Sequence, residues 1–119
     1  MYRRLMAGVL ALLSLPQVGV PPAAARVHAG TYFVTGYLDR GTTATGTPAR
    51  WGVVAVDPRV IPLGAWVRVA GYATVFRAED TGGLIVGRRV DIWFPTAAAC
   101  YASTGWRGVR WSRRRADLG

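Results

Sequence analysis

The stretch from Glu79 to Phe94, EDTGGLIVGRRVDIWF, sets an aspartate inside an apolar run, and few local structures accept that arrangement. An ionised carboxylate taken out of water is costly unless hydrogen bonds or a partner charge offset the loss. Strand alternation accommodates it. Val90, Ile92 and Phe94 fall on one face, and Arg89, Asp91 and Trp93 on the other, so a core-facing apolar row leaves Asp91 on a groove-facing side beside an aromatic. The same spacing also suits an aspartate that anchors a turn or pairs with Arg89. The chain has only six acids, and three of them, Glu79, Asp80 and Asp91, lie in this stretch.

The flanking sequence is punctuated at strand length. Thr31 to Leu38 is β-branched and aromatic, Asp39 to Arg50 is a polar Thr/Gly/Pro loop, and Trp51 to Val56 is apolar again. Pro58, Pro62 and Gly64 mark a turn. Trp66 to Ala70 and Ala73 to Ala78 read as a hairpin about Gly71-Tyr72, Val90 to Phe94 as a fifth strand and Gly108 to Ser112 as a sixth. One helix is expected, capped by Thr96 and ending near Gly105. Six short strands in so small a chain predict an all-β, six-stranded closed barrel with one short helix, because closure removes exposed edges. The Arg-rich tail, 113–119, reads as loose.

The chain opens with a short basic start (Arg3, Arg4), an apolar run broken by Pro16, and Ala23-Ala24-Ala25. This reads as a secretory signal cleaved after Ala25, with an uncleaved anchor as the alternative. Cleavage leaves 119 − 25 = 94 residues, a single domain: a lead-in over 26–34, the barrel over 35–112 and the tail. All 15 basic residues are Arg; two leave with the signal, so 13 face six acids, a formal +7. For an exported protein, acidic wall and envelope polymers are the matching partners, with simple solubility as the plainer account. No recognised nucleic-acid-binding motif accompanies the dispersed arginines, so no nucleic-acid partner is expected. Cys100 is alone and His28 is the only histidine, so no disulfide, thiol mechanism or metal set is expected.

TGY at Thr35 to Tyr37, TATG at Thr43 to Gly46, AVDPRVIPLG at Ala55 to Gly64, Gly71-Tyr72, and EDTGG followed by IVG and VDIWF occur in one order from about Thr35 to Trp111. Together they resemble the three-aspartate (3D) domain of bacterial cell-wall proteins. That resemblance implies a double-psi β-barrel, similar to the C-terminal part of lytic murein transglycosylase A and to stationary-phase survival proteins. The name-giving acids would be Asp57, Asp80 and Asp91. The resemblance gives Asp91 the role of essential acid and Asp80 that of its companion. Val86 stands where the family usually has a basic residue.

A lytic transglycosylase works with one carboxyl group, which first gives a proton to the glycosidic oxygen and then takes one from the 6-hydroxyl of muramic acid. The resemblance therefore implies a secreted enzyme that cleaves the MurNAc-GlcNAc β-1,4 bond of peptidoglycan, needs no cofactor and is monomeric. The other class left open is an expansin-like module that binds or loosens the wall without turnover. An ionised Asp80 would raise the pKa of Asp91 and Arg89 would lower it, or Arg89 would hold a substrate carboxylate. Asp57, before Pro58, suits backbone amides in a turn. Thr45 is either a hydroxyl donor or a turn residue, and Tyr37 and Trp93 either stack on sugars or fill the core. Gly82, Gly83 and Gly87 are expected in conformations that larger residues resist.

Overall fold

The computed structural model describes residues 26–119. Met1 to Ala25, and the signal read there, lie outside the described residues. Six strands follow in order: β1 (His28–Tyr37), β2 (Val53–Val56), β3 (Trp66–Val69), β4 (Val75–Asp80), β5 (Arg89–Trp93) and β6 (Gly105–Ser112). One helix, α1 (Ala97–Ser103), precedes β6, and a 3₁₀ turn (Arg115–Leu118) follows it. The strands close into a barrel ordered β1-β5-β2-β4-β3-β6. Two parallel pairs, β1 with β5 and β2 with β4, are set into an otherwise antiparallel ring.

Alternation decides what fills the barrel. Val34, Val54, Val56, Val67, Val69, Phe76, Val90, Ile92 and Val109 turn inward and are essentially solvent-free. Each such side chain contributes about 1.5–3 kcal/mol on burial, and nearly all are β-branched, which suits the pleated surface. The expected faces of β5 hold: Val90, Ile92 and Phe94 are buried while Arg89 and Asp91 turn outward.

Helix α1 begins where Thr96 Oγ1 accepts the Ala99 amide at 3.3 Å, satisfying one of the donors a first turn leaves open. It lies against β1 at Gly36. A Cβ there would stand 2.6 Å from Cys100 Cα and 2.8 Å from both Cys100 Cβ and Phe94 Cδ2, so only glycine lets the helix come this close.

The ends of the barrel differ from the sequence reading. β1 starts at His28, and its first residues pair with β6 as far as Trp111, so most of the lead-in is strand. The tail is folded as well. Ser112 Oγ donates to Asp117 Oδ2 at 2.6 Å, Arg114 pairs with Asp117, and Leu118 is buried. A tail read by its arginines looks solvated; one buried leucine and one acid hold it down.

Candidate functional site

Of the six acids, three are committed to ion pairs. Asp57 pairs with Arg59, Glu79 with Arg50 and Asp117 with Arg114. The other three, Asp39, Asp80 and Asp91, line one cleft of about 330 Å³ together with Tyr37, Ala55, Arg89 and the loop from Thr81 to Ile85. None of the three is in a salt bridge among the described residues. A larger cleft of about 390 Å³ lies by Gly30, Arg68 and Arg110, but no carboxylate lines it. Proton chemistry therefore points to the smaller one.

Register builds that cleft. Thr35 on β1 pairs with Asp91 on β5, Asp91 with Ala55 on β2, and Ala55 with Asp80 on β4. Four strands thus lay Thr35, Asp91, Ala55 and Asp80 in one row across the outside of the barrel. The ladder shifts register between Val54 and Ala55, where β2 meets β4, so the irregularity sits in that row.

The two cleft carboxylates with side-chain partners are held differently. Asp80 is tied on both oxygens: Oδ1 accepts the Ala44 and Thr81 amides at 3.0 and 2.9 Å, and Oδ2 accepts the Tyr37 hydroxyl at 3.1 Å. Asp91 takes one hydrogen bond, from Thr35 Oγ1 to Oδ1 at 2.9 Å, and its Oδ2 has none from any described residue. Burial lifts the Asp91 pKa above the usual carboxylate range. The Thr35 hydrogen bond and the Arg89 charge pull it back, Asp80 adds a smaller push upward, and the rise prevails. The Tyr37 phenol is held far above its ordinary pKa, first by burial and then by the Asp80 charge, so it stays a proton donor to Asp80.

Arg89 lines the cleft, and its Nε is buried with no hydrogen-bond partner. That buried Nε is out of a ligand's reach, but Arg89 forms no salt bridge among the described residues, and its terminal guanidinium nitrogens suit an incoming carboxylate or carbonyl. Trp93, by contrast, is buried and donates its indole N–H to the Asp39 carbonyl at 2.9 Å, so it belongs to the wall. Thr45 stands outside the cleft in a hydroxyl cluster with Thr43 and Thr47. Its loop serves the site through the main chain of Ala44. Glu79 points the other way from Asp80, buried between Thr47 and Arg50 at 2.9 Å each.

Asp57 is a clamp. It accepts the Arg59 amide and guanidinium and, across 30 residues, the Gly87 amide at 2.8 Å, which pins the end of the loop that lines the cleft. These bonds drive its pKa well below the carboxylate range, the Arg59 side chain most, then the Gly87 amide. Gly87 has φ +71°, as expected of a position that favours glycine. Gly82 and Gly83 do not. Neither has positive φ; a Cβ on Gly83 would meet nothing within 4 Å among the described residues, so the expectation fails at Gly83, whereas one on Gly82 would stand 3.1 Å from Ile85 Cγ1, so crowding rather than backbone resists a larger residue there.

Residues 52–110 match the family model described as the 3D domain. The chain carries a 3D domain. In it two of the three expected aspartates, Asp80 and Asp91, face the cleft, while Asp57 fixes its loop. Two relatives from Bacillus subtilis (strain 168) align with it: YabE, named as a cell wall shaping protein, 45% identical over 65 residues, and YocH, a cell wall-binding protein, 47% identical over 60 residues. The alignments cover 51% and 47% of this chain but only 16% and 21% of those relatives. The chain therefore corresponds to a small part of each.

Sequence reasoning named Asp80, Asp91, Tyr37 and Arg89 and missed Thr35. The signal was present: Thr35 and Tyr37 sit two apart in TGY, on the face that Asp91 occupies one strand over. Asp39 and the apolar lip at Leu84, 81% exposed, were missed too, because a loop's position carries no strand parity.

Proposed function

We propose that this protein acts on the bacterial cell wall outside the cytoplasmic membrane, binding peptidoglycan glycan strands and cutting the MurNAc-GlcNAc β-1,4 bond as a lytic transglycosylase. The names of the two relatives support the wall as its place of action. The observation that carries the chemistry is the contrast between Asp91, with one oxygen unbonded among the described residues and a raised pKa, and Asp80, held on both oxygens by three donors. A raised pKa keeps a carboxylic acid protonated nearer to neutral pH, which a general acid requires.

In this reading Asp91 gives its proton to the glycosidic oxygen as the bond to C1 breaks. The resulting carboxylate then takes the proton of the muramic acid 6-hydroxyl as that oxygen bonds to C1. The proton count closes without water and Asp91 returns to its starting state. Thr35 orients Asp91; Tyr37, Ala44 and Thr81 hold Asp80 as a fixed negative neighbour; the terminal nitrogens of Arg89 receive a substrate carboxylate or carbonyl. Incubating the protein with purified peptidoglycan and analysing the fragments by mass spectrometry tests this: 1,6-anhydromuramic ends support it, and reducing ends point to a hydrolase.

The opening segment, read as a signal, supports export. Removal of Met1 to Ala25 gives a mature protein beginning at Arg26, checked by N-terminal sequencing of protein recovered from the envelope, whereas intact Met1 to Ala25 on cytoplasmic protein contradicts export. The name of YocH favours a second reading, a wall-binding module with the same cleft and no turnover.

A further inference from the structure

Trp106 is 69% exposed, and the other four tryptophans are all engaged. Trp93 and Trp111 are buried, Trp66 is covered by the Arg77 and Arg115 guanidiniums, and Trp51 packs with Tyr72, Phe76 and Phe94. Among the described residues Trp106 has one aromatic neighbour, Phe33, in an edge-type contact at 5.3 Å and 67°. A single exposed aromatic is ordinary on a protein surface, so it is the placement of Trp106 beside the cleft that carries weight.

Register explains where it points. Trp106 on β6 pairs with Phe33 on β1, and Phe33 pairs with Arg89 on β5. The Arg89 guanidinium carbon lies 5.9 Å from the Phe33 ring centroid, and Arg89 also lines the carboxylate cleft. Trp106, Phe33 and Arg89 therefore form an outward row parallel to the row that holds Thr35 and Asp91. The two rows are two residues apart along β1 and β5, about 7 Å at about 3.3 Å per residue. That offset is on the scale of one sugar repeat.

We propose that the cleft continues past Arg89 onto a shelf made by Phe33 and Trp106, where a further pyranose ring of the same glycan strand stacks. The proposal rests on the glycan-strand reading above and deepens it: the shelf makes the site one for a polymer rather than for a single disaccharide. The chemistry fits. The axial C–H face of a pyranose is apolar and weakly positive, an indole face is apolar and negative, and the polar rim of the sugar stays in water. Arg89 stands at the junction of cleft and shelf, where its terminal guanidinium nitrogens meet the acyl substituent between two rings.

The test measures binding of soluble β-1,4-linked N-acetylglucosamine oligomers by titration calorimetry. The wild-type protein binds the tetrasaccharide about 10-fold or more tightly than the disaccharide. Trp106→Ala loses that gain and leaves disaccharide affinity unchanged, while thermal stability falls only by what the one edge contact to Phe33 supplies. Trp106→Phe restores most of it. Equal tetrasaccharide binding by wild type and Trp106→Ala, or no length dependence in wild type, overturns the shelf. Such a result leaves the Asp91 reading standing, because Asp91→Asn is read in product formation. Failure of either oligomer to bind any variant overturns the shelf together with the glycan reading.

Discussion

Gly36→Ala isolates the contact that joins the helix to the site. The added methyl would lie 2.6 Å from Cys100 Cα and 2.8 Å from Cys100 Cβ and Phe94 Cδ2, against an ordinary carbon-carbon contact of about 3.5–4.0 Å. Two of these three atoms belong to Cys100 itself, one of them its Cα, so relief requires α1 to move by about 1 Å rather than a side chain to rotate. Overpacking of this kind costs about 1–3 kcal/mol, and the reduced freedom of the unfolded chain returns about 0.4–1 kcal/mol. A net loss of about 1–2 kcal/mol lowers Tm by about 4–16 °C in a domain of this size. Because Gly36 lies between Thr35 and Tyr37, the same shift loosens the hydrogen bonds to Asp91 and Asp80. Gly83→Ala is the control: nothing lies within 4 Å of its added methyl and its φ is not positive, so it stays within about 0.5 kcal/mol of wild type. Urea and thermal unfolding of both variants decide the matter. Gly36→Ala as stable as Gly83→Ala refutes the packing argument.

Thr35→Val removes a hydrogen bond that lowers the Asp91 pKa, so the alkaline limb of the pH-rate profile moves to higher pH while turnover falls about 10-fold from lost orientation; a limb that stays or moves down contradicts it. Asp57 has a depressed folded pKa, so the stability it contributes is present above about pH 4, its unfolded value, and is lost as pH falls toward the folded one. Asp57→Asn therefore unfolds more readily at pH 7 and flattens the acid side of a plot of urea midpoint against pH. Asp91 has the opposite sign: its raised folded pKa means the ionised form is disfavoured by folding, so Asp91→Asn is more stable than wild type at pH 7 and equal to it near pH 3. A variant less stable at pH 7 would show that burial of Asp91 is compensated.

The fold was legible because parity and punctuation are local. Val90, Ile92 and Phe94 announce a strand face, and Thr96 announces a helix start, without knowledge of any partner. Asp91 was legible for the same reason, an acid at a position where strand parity gives it a face; Asp80 came from the resemblance, because parity would set it with the buried Phe76 and Ala78 and only the register shift against β2 brings it beside Ala55. What the sequence hides depends on who faces whom. That Thr35 bonds Asp91 requires the parallel pairing of β1 with β5. That Trp93 is wall rather than platform depends on the Asp39 carbonyl beside it, and that Thr45 stays out of the cleft depends on how its loop folds back onto Glu79. The pKa of Asp91 was read as a contest between Asp80 and Arg89, yet burial, which no pair of charges reveals, dominates it. The tail failed for a related reason: three consecutive arginines mask the Asp117 and Leu118 contacts that fold it.

In the proposed mechanism Asp91 alone carries the proton. Asp91→Asn keeps the size of the side chain and its ability to accept from Thr35, but it has no proton to give. Purified peptidoglycan is incubated with wild type, Asp91→Asn and Asp80→Asn, and released fragments are quantified by mass spectrometry alongside binding to intact sacculi. Wild type releases fragments with 1,6-anhydromuramic ends, Asp91→Asn releases them about 100-fold more slowly or less while binding sacculi equally, and Asp80→Asn loses less. Wild type that binds sacculi and releases nothing, indistinguishable from Asp91→Asn, contradicts the claim and leaves a binding module.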